Sequence, residues 1–207
     1  MKTITPSFLF LQEKQKAWSD SFHGGAINAE VSRSEPVETP VDGEKHNFHF
    51  NLWEVPKGGA KTRYQWNVDA IHTLKLVESE GRLATTEEQK TLSNYVGWGG
   101  LSQVFDEKNE NWKKEFAELK ELLSEDEYTA ARATVNNAFY TAPEVASCMS
   151  QALVQFGFRG GNVLEPSMGI GNFFGSMPAP MQRSKLYGVE LDSISGRIAK
   201  KLPIPID

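Results

Sequence analysis

The fold of this 207-residue chain is indicated by Asn162-Val163-Leu164-Glu165-Pro166-Ser167-Met168-Gly169-Ile170-Gly171-Asn172-Phe173-Phe174-Gly175, followed by Leu186-Tyr187-Gly188-Val189-Glu190-Leu191-Asp192. The order of parts is an apolar run, a turn with two glycines one residue apart, a helix, and a second apolar run that ends in a carboxylate. This order is typical of a nucleotide-binding βαβ unit. It predicts an α/β fold and a site for a nucleoside-bearing cofactor.

The residues of this unit have separate expected roles. Val163 and Leu164 are predicted to end a buried parallel strand, and Gly169 and Gly171 let the main chain turn sharply and approach a ligand. Glu190 is expected where the next strand ends, 19 residues after Gly171. A carboxylate in that position accepts hydrogen bonds from two ribose hydroxyls. The combination therefore indicates adenosine.

Two features distinguish this turn from a dinucleotide fingerprint. Counted from Gly169, the third glycine of Gly-x-Gly-x-x-Gly falls on Phe174, and Glu165-Pro166 lies between strand and turn. A carboxylate there disfavours a pyrophosphate but suits a cofactor that carries an ammonium and a sulfonium. The sequence favours S-adenosylmethionine over NAD, and a small NAD-binding domain remains the less favoured alternative.

Three motifs resemble those of class I adenine-N6 DNA methyltransferases, in the same order. The first motif of that family resembles Leu164-Glu165-Pro166-x-x-Gly169-x-Gly171-x-Phe173 of this chain. The family's second motif resembles Tyr187-Gly188-Val189-Glu190-Leu191-Asp192. The motif that precedes the first strand in that family is similar to Asn137-Ala138-Phe139-Tyr140-Thr141-Ala142-Pro143-Glu144-Val145. The resemblance is closest to the methylase regions of large methylase-helicase proteins of conjugative elements, and it covers roughly Asn47 to Leu202.

The resemblance implies the start of a Rossmann-like class I methyltransferase sheet, preceded by a small helical subdomain. It also implies that Glu190 holds the ribose, Glu165 lies at the ammonium end, and Tyr140 belongs to the wall around the methionine part. In such enzymes the adenine amino nitrogen attacks the sulfonium methyl directly. The cofactor-binding residues implied by the resemblance are Tyr140, Thr141, Pro143, Glu165, Pro166, Gly169, Gly171, Phe173 and Glu190.

The family grips its target base with an Asn/Asp/Ser-Pro-Pro-Tyr/Phe tetrapeptide, which this sequence does not contain. We therefore expect no catalytic residue in the chain, which resembles a methyltransferase truncated before its catalytic motif and inactive alone. DNA would be reached through regions missing from the chain, and a helicase domain or partner chain is the other expected partner. The alternative from another class is a catalytically silent interaction or regulatory module.

Composition sets further expectations. A net charge of −5 predicts poor DNA binding by this chain alone, because proteins that bind nucleic acid usually display a basic surface. The longest apolar run near the N-terminus, Phe8-Leu9-Phe10-Leu11, is too short for a membrane span, which favours a cytoplasmic protein without membrane partners. The only cysteine, Cys148, is expected to be a small buried apolar residue.

The pattern along the chain predicts three parts. Residues 1–45 are expected to be a flexible N-terminal segment, 46–137 a mainly helical subdomain, and 138–207 a partial S-adenosylmethionine-binding domain. A strand is predicted over His46–Leu52 from alternating apolar residues. His46 and His49 lack a third ligand at suitable spacing, so no metal site is predicted.

Helical periodicity predicts several helices and their buried faces. Capping boxes are expected at Thr86-x-x-Gln89 and Ser124-x-x-Glu127, and Thr141 is expected to cap the helix before the first strand. Trp98, set among glycines, is interpreted as a core residue rather than a base-stacking platform. The apolar stripes expected to face inward are Val68, Ile71, Leu74 and Val77; Trp112, Phe116, Leu119 and Leu123; Val145, Met149, Leu153 and Phe156; and Ile194, Ile198 and Leu202.

Overall fold

The structure, a computed structural model, describes residues 48–50 and 58–202. All of them lie within the unit Pro40–Asp207. The predicted flexible segment 1–45 and most of the predicted strand at 46–52 lie outside the described residues. The described elements, in chain order, are α1 Ala60–Ser79, α2 Thr86–Leu92, α3 Lys113–Leu122, α4 Glu125–Ala133, α5 Pro143–Gln155, β1 Asn162–Glu165, α6 Asn172–Gly175, β2 Lys185–Gly188 and α7 Ser193–Lys201.

Helix α1 forms the centre of the larger apolar core. Its predicted stripe, from Val68 to Val77, is buried. Trp98 is buried as well, with its ring 6.4 Å from that of Tyr64 and 5.5 Å from that of Phe105. The interpretation of Trp98 as a core residue is therefore confirmed. Because Ile194 and Ile198 of α7 belong to the same core, the helices before the sheet and the helix after it share one apolar interior.

Two helices of this region begin with capping boxes. At α4, Ser124 and Glu127 cap as predicted. At α2 the predicted residues were wrong by one position, because the box is formed by Thr85 and Glu88 instead of Thr86 and Gln89. Gln89 is buried, and its amide donates to the main-chain oxygen of Lys201 at 3.2 Å. Gln89 therefore packs inside the protein against the last helix and does not cap α2.

The sheet consists of two parallel strands, so the fold is α/β in the broad sense. Val163 lies beside Leu186 in the register, and the N–H of Val189 continues the ladder to the oxygen of Glu165 at 2.9 Å. In a parallel strand, the N–H and C=O groups of successive residues point to opposite sides, so every second residue bonds the same neighbouring strand. The N–H and C=O of Leu164 therefore point away from β2, toward an edge that no other described strand covers. Leu164 is exposed, so the prediction that it is buried was wrong.

A second, smaller apolar cluster covers one face of the sheet. Val163 packs against this cluster, as does Val154 from the end of α5. Helix α6, expected after the glycine turn, has only four residues. The buried members of the cluster are Met168, Phe174, Met177, Met181, Leu186 and Ala199.

Helix α5 presents its large apolar residues outward, which contradicts the predicted burial of that face. Val145, Met149 and Leu153 are about half exposed, and Phe156, just after the helix, is 87% exposed. The buried residues of α5 are small or compact: Pro143, Ala146, Ser147 and Ser150. Cys148 is exposed rather than buried, so that expectation was wrong too. Small side chains on the inner face allow the helix to pack closely against its neighbours.

Residues 48–50 have no regular secondary structure, so the predicted strand is not formed there. Phe48 and Phe50 nevertheless pack on the larger core, and the N–H of Phe50 donates to the oxygen of Gly175 at 3.0 Å. Leu52 lies outside the described residues. Within residues 58–202, none of the helices combines the length and the apolar character that crossing a bilayer requires.

Candidate functional site

The turn after β1 has the backbone conformation that its glycines predict. Gly169 has φ +57° and Gly171 has φ +92°. Residues with a Cβ rarely adopt these backbone angles. The N–H of Gly171 closes the turn on the oxygen of Met168 at 2.8 Å. This geometry places main chain, rather than side chains, at the end of the strand.

Glu190 lies directly against this turn. One carboxylate oxygen, Oε2, accepts from the N–H of Gly169 at 2.7 Å, and Oε1 accepts from the N–H of Asp192 at 2.8 Å. Glu190 is half-buried. Each oxygen of an ionised carboxylate has about two acceptor positions, so one on each oxygen stays available. The structure thus brings together the two residues from which the sequence predicted an adenosine site.

A cavity of about 590 Å³ opens beside Gly169 and Glu190. One wall consists of residues from the end of α4 and the segment after it, and another contains Leu191 and Asp192. Leu191 is almost fully exposed. The volume falls in the usual range for small-molecule sites. The helical region contributes Ala130, Ala133 and Thr134, which the sequence did not single out, and Asn137, the first residue of the motif before the first strand.

A smaller cavity of about 100 Å³ adjoins the first. It is lined by Thr141, Glu165, Asn172 and Phe173. The two cavities share Phe139, Tyr140, Ser167 and Gly169. Adjoining cavities with shared walls suit an elongated ligand whose two ends differ in chemistry.

Tyr140 stands between the two cavities and is held firmly. Its hydroxyl is hydrogen-bonded to Ser195 Oγ, and Ser195 Oγ donates to Asp192. Since a serine hydroxyl has one proton to donate, Tyr140 is the donor to Ser195. Burial raises the pKa of Tyr140 well above its usual value, so the phenol stays protonated at neutral pH. A Cβ on Gly169 would lie 3.2 Å from the Tyr140 ring, which shows how closely the ring packs on the turn.

Asn172 is a site residue that the sequence analysis missed. Its Nδ2 donates to the main-chain oxygen of Thr141 at 2.8 Å, while its Oδ1 is buried without a hydrogen-bond partner. A buried acceptor without a partner is costly unless a ligand or water supplies a donor. The first glycine motif is the signal that could have identified Asn172, since it follows Gly171 directly.

The remaining predicted site residues are placed differently. Thr141 lines the smaller cavity but does not cap α5, because the residue at the cap is Ala142 and no side chain bonds there. Pro143 is buried in the first turn of α5, and Pro166 is exposed. Neither proline lines a described cavity, nor does Gly171. These three residues shape the main chain around the cavities.

The charged side chains that line the two cavities are all acidic. Glu165 borders the smaller cavity, and Glu190 and Asp192 border the larger one. No lysine or arginine is among the described residues that line either cavity. Across the described part of the chain, no three His, Cys, Asp or Glu side chains are grouped to hold a metal ion. The site therefore favours a ligand with hydroxyls and positive charge.

The chain matches no protein-family model, and the comparisons with curated proteins and with solved structures likewise found no match. A function for the site therefore rests on its geometry and on the motifs of the sequence.

Proposed function

We propose that the chain is the cofactor-binding, N-terminal portion of an adenine-N6 DNA methyltransferase and that its site takes S-adenosylmethionine. In this proposal β1 and β2 are the first strands of a Rossmann-like class I methyltransferase sheet. The observation that carries the proposal is the 2.7 Å hydrogen bond from Gly169 N–H to Glu190. It joins the glycine turn and the acid at one end of two parallel strands, where α/β sheets bind nucleotides.

The larger cavity is suited to the adenosine part of the cofactor. Glu190 keeps an acceptor position on each oxygen, which matches the two hydroxyls of a ribose. The two N–H donors from Gly169 and Asp192 fix the carboxylate before any ligand arrives. A group held in its binding geometry loses little freedom on binding, and this favours affinity.

The smaller cavity is suited to the methionine part. Glu165 offers a negative charge to an ammonium, and the free acceptor Oδ1 of Asn172 offers it a hydrogen bond. The hydroxyls of Thr141 and Ser167 are donors for a carboxylate. A pyrophosphate would meet carboxylates and no cation among these described walls. This balance favours S-adenosylmethionine over NAD.

The role proposed for this chain is to hold and orient the cofactor. When bound, the cofactor supplies a methyl group made electrophilic by its sulfonium. The tetrapeptide that grips adenine in the resembling family is not in this sequence, so the target base and the DNA would be held by other regions or chains, with a helicase domain as a further partner in the cytoplasm. Alignment and electrostatics are the expected contributions of such a site to catalysis.

A catalytically silent interaction module is the second candidate. The exposed apolar face of α5 favours it, because large apolar patches often mark interaction sites. This candidate predicts a stable chain that binds other proteins but no adenosine cofactor.

Calorimetric titration of the full chain with four ligands tests the proposal. We expect binding of S-adenosylmethionine and S-adenosylhomocysteine, no binding of NAD, and at least tenfold weaker binding of methylthioadenosine, which lacks the amino-acid end. Binding of NAD alone would support a dinucleotide site. Absence of binding to any of the four would leave the interaction module as the better account.

A further inference from the structure

A third cavity, of about 630 Å³, is lined by the helical part of the chain and shares no residue with the two described above. Its main walls are residues 102–108, helix α3 and helix α4. Each wall contributes one aromatic side chain and one cationic side chain. The pairs, in that order of walls, are Phe105 and Lys108, Phe116 and Lys120, and Tyr128 and Arg132. We call this space the basic cavity.

The spacing of the helical residues explains two of these pairs. Phe116 and Lys120 are four residues apart on α3, and so are Tyr128 and Arg132 on α4. Residues four apart lie on the same face of a helix. The helix dipole favours a cation in the last turn of each helix, but it does not account for Lys108, which lies in a turn outside the helices.

The three cations differ in how far neighbouring groups engage them. The Nζ of Lys120 lies 4.0 Å from the centre of the Tyr128 ring and 3.7 Å from a carboxylate oxygen of Glu125. Lys108 and Arg132 form no ion pair with any other residue that the structure describes. Their charges are therefore available to a ligand at the wall of the cavity.

Two acids, Asp106 and Glu107, also line the basic cavity. Oδ1 of Asp106 accepts from the N–H of Lys108 at 3.0 Å, so this carboxylate closes the turn that carries Lys108. With three cations to two acids, the basic cavity favours an anion, whereas the charged residues that line the other two cavities are all acidic. A ligand that combines an anionic group with hydroxyls would use both kinds of charge.

Tyr128 adds a neutral hydrogen-bond donor beside these cations. The residue is only 5% exposed, and its hydroxyl forms no hydrogen bond within the described part of the chain. Burial is the main cause that raises the pKa of Tyr128, so the phenol stays protonated at neutral pH. A protonated hydroxyl can donate to an anionic oxygen. The ring of Phe105 lies 5.4 Å from that of Tyr128, so the wall beside the donor is aromatic.

We propose that the basic cavity binds a nucleotide, with its phosphate held by Lys108, Arg132 and the Tyr128 hydroxyl and its base placed against the aromatic side chains. Phosphate oxygens suit several charged donors at once, and planar bases stack on aromatic rings. Glu107 supplies an acceptor for a sugar hydroxyl. A free mononucleotide and one nucleotide of a DNA strand offer this same chemistry. The inference does not depend on the cofactor site.

Titration of the isotope-labelled full chain with thymidine monophosphate, followed by amide NMR, tests the proposal. This probe carries no adenine, so binding at the proposed adenosine site does not imitate the expected result. We expect shifts of amide signals in residues 102–108 and 128–135 and none around Gly169 and Glu190. Thymidine, which lacks the phosphate, is expected to bind about tenfold more weakly, and added salt is expected to weaken the nucleotide.

Three substitutions remove one proposed phosphate contact each. Arg132→Gln and Lys108→Gln remove a cation, and Tyr128→Phe keeps the ring but loses the donor. Each is expected to weaken thymidine monophosphate by about fivefold or more. Lys113→Gln is the matched control, because it removes a cation from α3 outside the cavity, where the side chain is 73% exposed, and it is expected to leave the affinity unchanged. Thermal unfolding checks that all four variants fold.

A single-stranded oligonucleotide of about ten thymidines distinguishes the two sources of the nucleotide. Tighter binding than the mononucleotide, with the same amide signals shifted, identifies a DNA strand; binding of the mononucleotide alone identifies a free nucleotide. Absence of shifts with thymidine monophosphate up to about 5 mM overturns the proposal. So do shifts confined to other residues, equal binding of thymidine, or wild-type affinity in all three cavity variants.

Discussion

Asn67 and Gly97 are joined by a hydrogen bond of 2.7 Å from the side-chain Nδ2 of Asn67 to the main-chain oxygen of Gly97. The Oδ1 of the same side chain accepts from the N–H of Val96 at 2.9 Å. Asn67 is fully buried in α1. Through these two bonds α1 fixes the loop that carries Trp98 and borders the larger cavity.

Asn67→Ala is expected to lower the free energy of unfolding by about 2–4 kcal/mol, because it leaves the half-buried N–H of Val96 and the buried C=O of Gly97 without partners. Urea unfolding followed by tryptophan fluorescence measures the change. Asn136→Ala is the control: Asn136 is exposed, and surface changes usually stay within about 0.5 kcal/mol. Equal effects of the two substitutions would show that the bonds of Asn67 do not stabilise the loop.

Gly169→Ala is expected to weaken binding of S-adenosylmethionine at least tenfold. The new Cβ would lie 3.2 Å from the ring of Tyr140, and it would have to be accommodated at φ +57°. Displacement of Tyr140 or of the turn would move the N–H of Gly169, which donates a hydrogen bond to Glu190. Calorimetric titration measures the affinity, and thermal unfolding measures the accompanying loss of stability.

Gly81→Ala separates conformational strain from the contact with Tyr140. Gly81 has a similar φ of +64°, but a Cβ there would meet nothing within 4 Å. Its expected cost is the strain alone, about 1 kcal/mol, with no effect on cofactor binding. If Gly81→Ala weakened binding as much as Gly169→Ala, the close packing at the turn would not be the reason.

Glu190→Ala is expected to weaken binding of S-adenosylmethionine by about 3 kcal/mol, which is more than a hundredfold, because two charge-assisted hydrogen bonds to the ribose are lost. Glu121→Ala, at an exposed position on α3, removes the same charge elsewhere and controls for net charge. An unchanged dissociation constant for Glu190→Ala would remove Glu190 from the site and with it the main support for the proposed function.

The sequence was sufficient to predict the relation between Gly169 and Glu190. A glycine turn after one strand and an acid after the next are local features, and parallel pairing brings the ends of both strands together. The buried stripe of α1 was predictable for a similar reason, since a regular period of apolar residues identifies the face of a helix that turns inward.

The orientation of α5 could not be predicted in this way. Periodicity locates the apolar side of a helix, here Val145, Met149 and Leu153, but it does not say what covers that side. Within the described residues nothing buries it, and the compact residues Ala146 and Ser150 make the inner contact instead. The exposure of Cys148 follows from the same orientation.

Contacts between distant side chains were also beyond the sequence. Arg197 lies outside the predicted inward stripe of the last helix, yet its guanidinium donates to Glu78 at 2.5 and 2.9 Å and to Glu127 at 2.6 Å. These partners are about 119 and 70 residues away in sequence. No local pattern encodes such a pairing, because only the packing of α7 against α1 and α4 brings the charges together.

This ion-pair group makes the stability of the chain dependent on pH. Glu127 is a half-buried carboxylate; burial opposes its ionisation, but hydrogen bonds from Ser124 N–H, Arg197 and Lys75 outweigh burial and lower its pKa from 4.5 to about 2. The pKa of Glu78 is lowered too, chiefly by its hydrogen bonds from Arg197. A carboxylate with a lowered pKa in the folded state adds stability above its ordinary pKa and loses it as the pH falls toward the lowered value.

Glu127→Gln is therefore expected to cost about 2 kcal/mol of unfolding free energy at pH 7, since it leaves Arg197 and Lys75 with weakened partners. Between pH 5 and pH 2.5 the difference from wild type should shrink, because the Glu127 carboxyl takes up a proton in the unfolded chain over that window while the folded protein still holds it ionised, so its contribution to stability is lost. Glu125→Gln is the matched control: Glu125 is exposed and lies 3.7 Å from Lys120, so its loss should cost at most a few tenths of a kcal/mol at any pH. Urea unfolding of the three proteins across this pH range measures the differences. A gap between Glu127→Gln and wild type that stayed constant down to pH 2.5 would show that ionisation of Glu127 does not contribute to holding α4 against α7.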